Sequence, residues 1–409
     1  MKKLVILIII YTVPVWLFGQ PNDSLEYYIK YAIKNNPGLT AEYKAYESSL
    51  EKVPQFKSLP DPTVSFGYFI NPVETRLGPQ RAKISITQMF PWFGTLNTKG
   101  KQAAYLAQAA YFDYVSSKNK LSYLIKKDYY ELFLIRKSKE IIKQQTDILG
   151  MLEQQALIKS ETGQVSIAEF LQFQMAKDEL NNKLLNLTIE EKNAIVQFNT
   201  LLNRKHDTEI LIPDSVYLIE EHSFSKDSIL KFNPTVKRAK ELINYSDQLL
   251  RESKLLRYPK IGIGLDYVFV GERQDLNPEG NGKDIVMPMI SMSIPIFGKK
   301  NKAKINESKL KSEEFNLKKE ALENDLIAEF ESGLFDLESA INDYKLYQEL
   351  IIKADRTLAI LRTAYETSGK DYDQVLSLEN KVLAYRLGVL KALVKIKTTE
   401  SYLEYLSNQ

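Results

Sequence analysis

The sequence predicts a mainly α-helical chain with a small membrane-type β component, built as a tandem repeat of very long helical hairpins. Three observations carry this. Residues 92–212 and 296–409 contain no proline. Each stretch has one turn signal at nearly the same depth, Gly163 lying 69 residues after Gly94 and Gly369 lying 71 after Gly298. Short segments of strict apolar–polar alternation precede both stretches. At about 1.5 Å per residue each ascending arm is roughly 100 Å long, against an ordinary helix of about 11–12 residues. Length on this scale points to a function of reach.

The duplication is followed residue by residue. Asn36-Pro37 recurs as Asn233-Pro234, an offset of 197, and Leu59-Pro60 as Tyr258-Pro259, an offset of 199. Phe90-Pro91-Trp92-Phe93-Gly94 recurs as Ile294-Pro295-Ile296-Phe297-Gly298, with the prolines offset by 204, and the tip glycines are offset by 206. The order never changes, so the halves share one topology. The expected boundaries are a first repeat over 20–212, with a β-hairpin at 62–90 and a helical hairpin at 95–203. A second repeat covers 213–409, with a β-hairpin at 260–295 and a helical hairpin at 299–407. Asp23–Phe56 reads as one helix leading to the first strand, and its counterpart runs from about Ser225 to Leu256. Between the repeats, His206–Glu221 reads as a strand-containing belt.

Lys2 and Lys3 precede an apolar run from Leu4 to Phe18, and the small Gly19 follows, as in a secretory signal peptide over 1–19. The run is shorter than the roughly 20 apolar residues needed to span a bilayer as a helix. There is no cysteine, so neither a disulfide framework nor a lipid-modified cysteine is available. Of 55 basic and 52 acidic residues, the leader holds two lysines and no acid, which leaves 53 against 52 and a net charge of +1. That balance argues against a nucleic-acid partner.

Val64, Phe66, Tyr68 and Ile70 alternate with small or polar residues, as do Ile84 and Ile86. In the second repeat Ile261, Ile263, Leu265, Tyr267 and Phe269 alternate with Gly262, Gly264 and Asp266, and Val286, Ile290, Met292 and Ile294 with Met287, Met289, Ser291 and Ser293. Period two with one apolar and one small or polar face describes strands between two different solvents. Segments of about 9–11 residues suit a tilted outer-membrane strand. The alternative, two hairpins of a soluble sandwich, has no further strands to pack on. Polar loops join the hairpins over Asn71–Arg81 and Gly271–Asp284.

Four strands cannot close a barrel, which takes about eight, and an open sheet edge in lipid leaves backbone groups unpaired. The sheet is therefore expected to be shared between copies of the chain. Leu326, Phe330, Leu334, Leu337, Ile341 and Tyr344 recur at a near-heptad spacing, and Leu121, Leu124, Ile125, Tyr129, Leu132 and Ile135 form a similar stripe. Both are expected to pack laterally, within one bundle or as an intermolecular wall.

With the tandem repeat, the Asn-Pro pairs, the strand pairs ending in Pro91-Trp92-Phe93-Gly94 and Pro295-Ile296-Phe297-Gly298, and the tips followed by Glu169-Phe170-Leu171 and Gln374-Val375-Leu376, the chain resembles the TolC family of outer-membrane efflux proteins. The resemblance covers essentially the whole length after the leader. It implies a homotrimer with a shared twelve-stranded transmembrane β-barrel and a periplasmic α-barrel. Such a protein is the exit duct of a tripartite efflux pump or a type I secretion system, working with a periplasmic adaptor and an inner-membrane transporter. It also implies that Thr162, Gly163 and Gln164, with Ser368, Gly369 and Lys370, form adaptor-docking tips. A periplasmic aperture is implied just after the second tip, where Asp371, Asp373, Gln374 and Ser377 are the candidates. The family's acidic positions fall on Gln374 and Ser377, a departure that weakens an acidic ring. Val64, Phe66, Tyr68, Ile84, Ile86, Ile261, Ile263, Leu265 and Tyr267 are the expected lipid-facing residues.

No phosphate loop, nucleophile elbow or His–Glu metal motif occurs, and Gly262-Ile263-Gly264 sits inside a strand, so neither catalysis nor a cofactor is expected. Met287 and Met289 share a face and Met292 lies on the other, which favours filling of a strand surface over a soft-metal site. With only His206 and His222 and no cysteine, a metal site is not expected. A soluble periplasmic coiled-coil scaffold is the competing reading. It would keep the helices and need no lipid-facing strands.

Overall fold

A computed structural model describes residues 25–218, 224–368 and 371–408. The expected leader, His222, Gly369 and Lys370 lie outside these residues. The segment read as one helix is two, α1 (Leu25–Asn35) and α2 (Pro37–Lys57). Asn36 causes the break. Its side chain accepts from the Leu39 amide at 3.0 Å, and Pro37 takes the first helical position, where a missing N–H is harmless. The Asn36 amide group also donates to the Leu201 carbonyl at 3.0 Å.

The chain continues through β1 (Thr63–Val73), β2 (Gln80–Phe90), α3 (Thr95–Glu161) and α4 (Ile167–Leu201). The second repeat runs α5 (Lys226–Phe232), α6 (Pro234–Leu255), β3 (Lys260–Val270), β4 (Ile285–Ser293), α7 (Gly298–Ser368) and α8 (Tyr372–Ser407). Here the expected single helix is broken at Asn233 by the same device. Asn233 caps α6 through the Thr235 amide at 2.8 Å and donates to the Leu406 carbonyl at 2.9 Å. One asparagine per repeat thus ties a helix start to the far end of that repeat's own hairpin.

The expected belt contains no strand among the described residues 206–218. Side chains satisfy its backbone instead. Asn199 donates to the carbonyls of His206 and Thr208 at 2.9 and 2.8 Å, Arg136 to that of Ile210 at 2.7 Å, and the Leu211 amide donates to the Tyr28 hydroxyl at 2.9 Å. Ile210 is fully buried with Tyr28, Ile125 and Phe198 and anchors the segment as a coil, while Leu211, Tyr217 and Leu218 stay exposed.

The helices form a wall, not a closed bundle. Towards the sheet α3 lies between α2 and α6, with α7 beyond α6; towards the tips it lies between α4 and α8, with α7 beyond α8. Ion pairs join neighbouring helices of the wall, Asp113–Arg238 between α3 and α6 at 2.7 Å and Lys395–Asp336 between α8 and α7 at 2.6 Å. Leu121, Ile125, Tyr129, Leu132 and Ile135 are buried inside the chain, as are Leu326 and Phe330, which cluster with Ile229 and Leu403. The stripes are therefore used mainly within one chain. Other residues stay open at the wall's edges, among them Leu185 and Ile189 on α4 and Leu317 and Phe335 on α7. No described helix is long and apolar enough to cross a membrane.

The sheet has the order β1-β2-β3-β4, antiparallel throughout, so β2 and β3 join the two repeats. The first polar connection is shorter than expected. β1 runs on through Val73 with an irregularity after Tyr68, and β2 starts at Gln80.

Candidate functional site

The sheet's register brings the alternating residues of all four strands into common rows. Val64 pairs with Ile86, Ile86 with Leu265, and Leu265 with Pro288; Phe66, Ile84, Tyr267 and Val286 form the next row. Ile263 and Ile290 continue the face, and Ile261 and Met292 extend it. Val64, Phe66, Tyr68, Ile84, Ile86, Ile263, Leu265 and Tyr267 are exposed, from 38 % for Tyr267 to 71 % for Tyr68, while Ile261 is half-buried. A contiguous apolar face of this kind demands an apolar neighbour.

The opposite face carries Ser65, Gly67, Lys83, Ser85, Thr87, Gly262, Gly264 and Asp266. Lys83 and the fully buried Asp266 form an ion pair across β2 and β3. Met287 and Met289 sit on this side, and so does Met89. A Cβ on Gly262 would lie 2.7 Å from the Met89 sulfur, and one on Gly264 would lie 3.6 Å from Met289 Cε. The glycines make room for the thioethers to cover the strand.

At one end of the sheet the two loops dock on each other. The amides of Gly271 and Gly282 donate to the carbonyls of Pro79 and Leu77, both at 2.7 Å. Asp284 accepts from the Tyr267 hydroxyl at 2.6 Å and the Val270 amide at 2.8 Å, bonds that lower its carboxyl pKa. At the other end Trp92 stacks on Tyr258 at 4.9 Å, beside the exposed Phe93, Ile296 and Phe297. Aromatic and apolar residues in this position suit a membrane–water boundary.

The hairpin tips lie at the far end of the helices. Gly163 has φ 73° and closes a Schellman turn, its amide donating to the Ser160 carbonyl at 3.1 Å and that of Gln164 to the Lys159 carbonyl at 2.9 Å. Thr162, Gly163 and Gln164 are all exposed, and nothing lies within 4 Å of a Cβ placed on Gly163. Ser166 then caps α4 through the Ala168 amide at 3.2 Å. In the second repeat Ser368 ends α7 and Asp371 opens α8 with φ 68°. Gln374 donates to the Asp371 carboxylate at 2.9 Å, so these two candidates meet. Asp373 and Ser377 are exposed on α8 and are not joined to them by a hydrogen bond.

Three groupings escaped the sequence reading. Lys159 donates to the carbonyls of Tyr365 and Glu366 at the end of α7, with its ammonium 4.8 Å from the Tyr365 ring centre. Glu169, opening α4, approaches the same tyrosine. Burial raises the Glu169 carboxyl pKa and the Asp373 charge adds to this; the Tyr365 hydroxyl is pushed up to about 12, first by burial and then by the Glu169 charge. Glu169 Oε2 and the Tyr365 hydroxyl, both buried, feel each other electrostatically without meeting in ordinary hydrogen-bond geometry. Deeper, the fully buried Glu379 accepts from Gln145 at 2.8 Å and from Arg362 Nε at 2.7 Å, joining α3, α7 and α8. These partners stand 206 and 234 residues apart in the cross-repeat contacts, and no local spacing signals them.

No family model matches the sequence, and no curated protein matches it. Solved structures match over nearly its whole length. CusC, whose structures concern folding and transmembrane channel formation, superposes with a TM-score of 0.78 over 94 % of this chain and 91 % of its own, at 14 % identity. The outer membrane protein VceC of Vibrio cholerae gives 0.77 over 94 % and 95 %, at 14 % identity. The CmeC outer membrane channel of Campylobacter jejuni gives 0.76 over 94 % and 85 %, at 13 % identity. The chain thus has the fold of the TolC-family outer-membrane channels.

Proposed function

We propose that this chain is one protomer of a homotrimeric exit duct in the outer membrane of a Gram-negative cell, reaching through the periplasm towards an adaptor and an inner-membrane transporter. The observation that carries the proposal is the sheet. Its four strands bring Val64, Phe66, Tyr68, Ile84, Ile86, Ile263, Leu265, Tyr267 and Ile290 to one exposed face, while β1 and β4 each keep an unpaired edge. Lipid satisfies the face, and a neighbouring copy satisfies each edge. Three copies give twelve strands, above the roughly eight that a closed barrel needs. The helix wall has the same incompleteness, and its continuation by neighbours makes a tunnel.

In this reading the duct is passive, and the cargo, small molecules or heavy-metal cations, is chosen by the transporter. Thr162, Gly163 and Gln164, with Ser368, Gly369 and Lys370, receive the adaptor's helical hairpin. The narrowing at the entrance is assigned to Asp371, Asp373, Gln374 and Ser377, with Gln374 held by Asp371. Light scattering coupled to size exclusion tests the assignment. A trimer that exists only in detergent is expected. A detergent-free monomer or dimer would mean that the strands never meet lipid, and the protein would be a soluble periplasmic scaffold.

A further inference from the structure

The charge balance of the whole chain hides a strongly one-sided zone. Three segments meet just below the sheet: 85–112, from β2 into α3; 253–265, from α6 into β3; and 285–306, from β4 into α7. None contains an aspartate or glutamate. The first carries Lys99 and Lys101 and the second Lys254, Arg257 and Lys260. The third carries Lys299, Lys300, Lys302 and Lys304 within six positions. In a chain with 52 acids among 409 residues, such a gap over three converging segments needs a reason. Of these cations only Lys99, with Glu252 at 3.7 Å, and Lys304, with Glu307 at 3.0 Å, have ion-pair partners among the described residues. Arg257, Lys299, Lys300 and Lys302 are exposed.

These cations follow directly on the apolar surface. The exposed row Ile290, Met292 and Ile294 runs into Ile296 and Phe297, which are 76 % and 73 % exposed, and the lysines begin two residues later. Beside this step lies a cleft of about 390 Å³ lined by Arg257, Pro295, Gly298, Asn301, Lys302 and Ile305. An apolar shelf with a cationic, amide-bearing cleft beneath it matches one chemistry: an acyl chain joined to a phosphodiester headgroup.

We infer that this collar is a binding site for anionic phospholipid in the periplasmic leaflet, with the acyl chains against Ile294, Ile296 and Phe297 and the phosphate between Arg257 and Lys302. Lys299 and Lys300 add a field that favours a net negative headgroup over a zwitterionic one. The inference rests on the membrane reading of the sheet. It goes beyond that reading in assigning a ligand class, a leaflet and named cations.

The test is native mass spectrometry of the purified protein without its leader, released from nanodiscs holding equal amounts of phosphatidylglycerol and phosphatidylcholine. The wild type should retain phosphatidylglycerol at least about fivefold over phosphatidylcholine. R257Q/K299Q/K300Q/K302Q should lose that preference, and R257K/K299R/K300R/K302R should keep it. Light scattering in detergent, run on each variant, reads the membrane assembly separately. If the wild type is not a detergent-dependent oligomer, the duct reading has failed at its root. If the oligomer is intact and the glutamine variant retains phosphatidylglycerol as the wild type does, the cations serve protein contacts and the lipid site is wrong. Complete displacement of the lipid by millimolar inorganic phosphate would also overturn it, because the cleft would then be a site for free anions.

Discussion

Helices α4 and α8 hold the same place in the two repeats, each descending from a hairpin tip, at 35 and 36 residues in length, yet they have different surfaces. α4 packs along α3 and leaves Leu171, Met175, Leu185, Ile189 and Val196 exposed. α8 lies between α3 and α7 and exposes no large apolar side chain among the described residues. Ten residues beyond the tip glycine of each repeat stand Phe173 and Glu379, both fully buried. The phenylalanine packs in an apolar cluster; the glutamate is held from two other helices by Gln145 and Arg362. A helix with neighbours on both sides can bury charge because partners reach it from both. A helix at an edge keeps an apolar stripe for a neighbour that its own chain does not supply.

The largest expected effect lies at that open edge. Leu185→Glu with Ile189→Glu puts two charges, one helical turn apart, on the open face of α4. If the face is covered by another copy, each residue forfeits about 1.5–3 kcal/mol of apolar burial at every interface and adds the cost of desolvating a carboxylate. Loss of the detergent-solubilised trimer is expected, with helix content by circular dichroism unchanged. A trimer that survives would mean that the wall closes through other residues.

The next largest effect lies inside the wall. Phe173→Ala should lower stability by about 3–5 kcal/mol, since it empties a site lined by Tyr365 and Tyr372. Glu379→Gln keeps the shape and removes the charge, and about 1–3 kcal/mol is expected from weakening its bonds to Arg362 and Gln145. The lower figure follows because the Arg362 side chain is 34 % exposed and can turn to water. Thermal unfolding followed by circular dichroism for both variants checks the order. A greater loss for Glu379→Gln would make the polar node the principal tie between the repeats.

This contrast also marks what a sequence can say about such a chain. Strand faces were legible because the period of two in Val64–Ile70 and Ile261–Phe269 survives any register that keeps one face apolar. Helix lengths were legible from missing prolines and the tip glycines. The breaks at Asn36 and Asn233 were half-legible: each Asn-Pro pair was visible as a repeat marker, while its donation to Leu201 or Leu406 was not. The belt failed because Leu211-Ile212 and Val216-Tyr217-Leu218 look like a strand locally, whereas Asn199, Arg136 and Tyr28 satisfy the neighbouring backbone from afar. Glu379 was in plain view among the α8 acids, but burial is set by the helices on either side of it. The roles proposed for the tips and for the entrance involve partners and copies beyond one chain, so the sequence could place their residues and nothing more.

The smallest expected effect concerns the junction of the two tips, where Phe173 of α4 meets Tyr372 of α8 with ring centres 6.5 Å apart. Burial and the nearby Asp373 charge raise the Glu169 carboxyl pKa above its ordinary 4.5. With the folded pKa above the unfolded one, the folded tip binds more protons between those two values. Stability from this group is therefore fully present below the unfolded value and is lost as pH rises through the raised folded one. The tip should be tighter in mild acid than at neutral pH. Glu169→Gln should hold the tight state at both, with less hydrogen exchange than wild type in residues 165–171 at pH 7 and no difference well below pH 4.5. Equal protection of the two proteins at pH 7 would mean that Glu169 keeps its charge without cost, through Lys159 and the Ser166 backbone that already favour the ionised form.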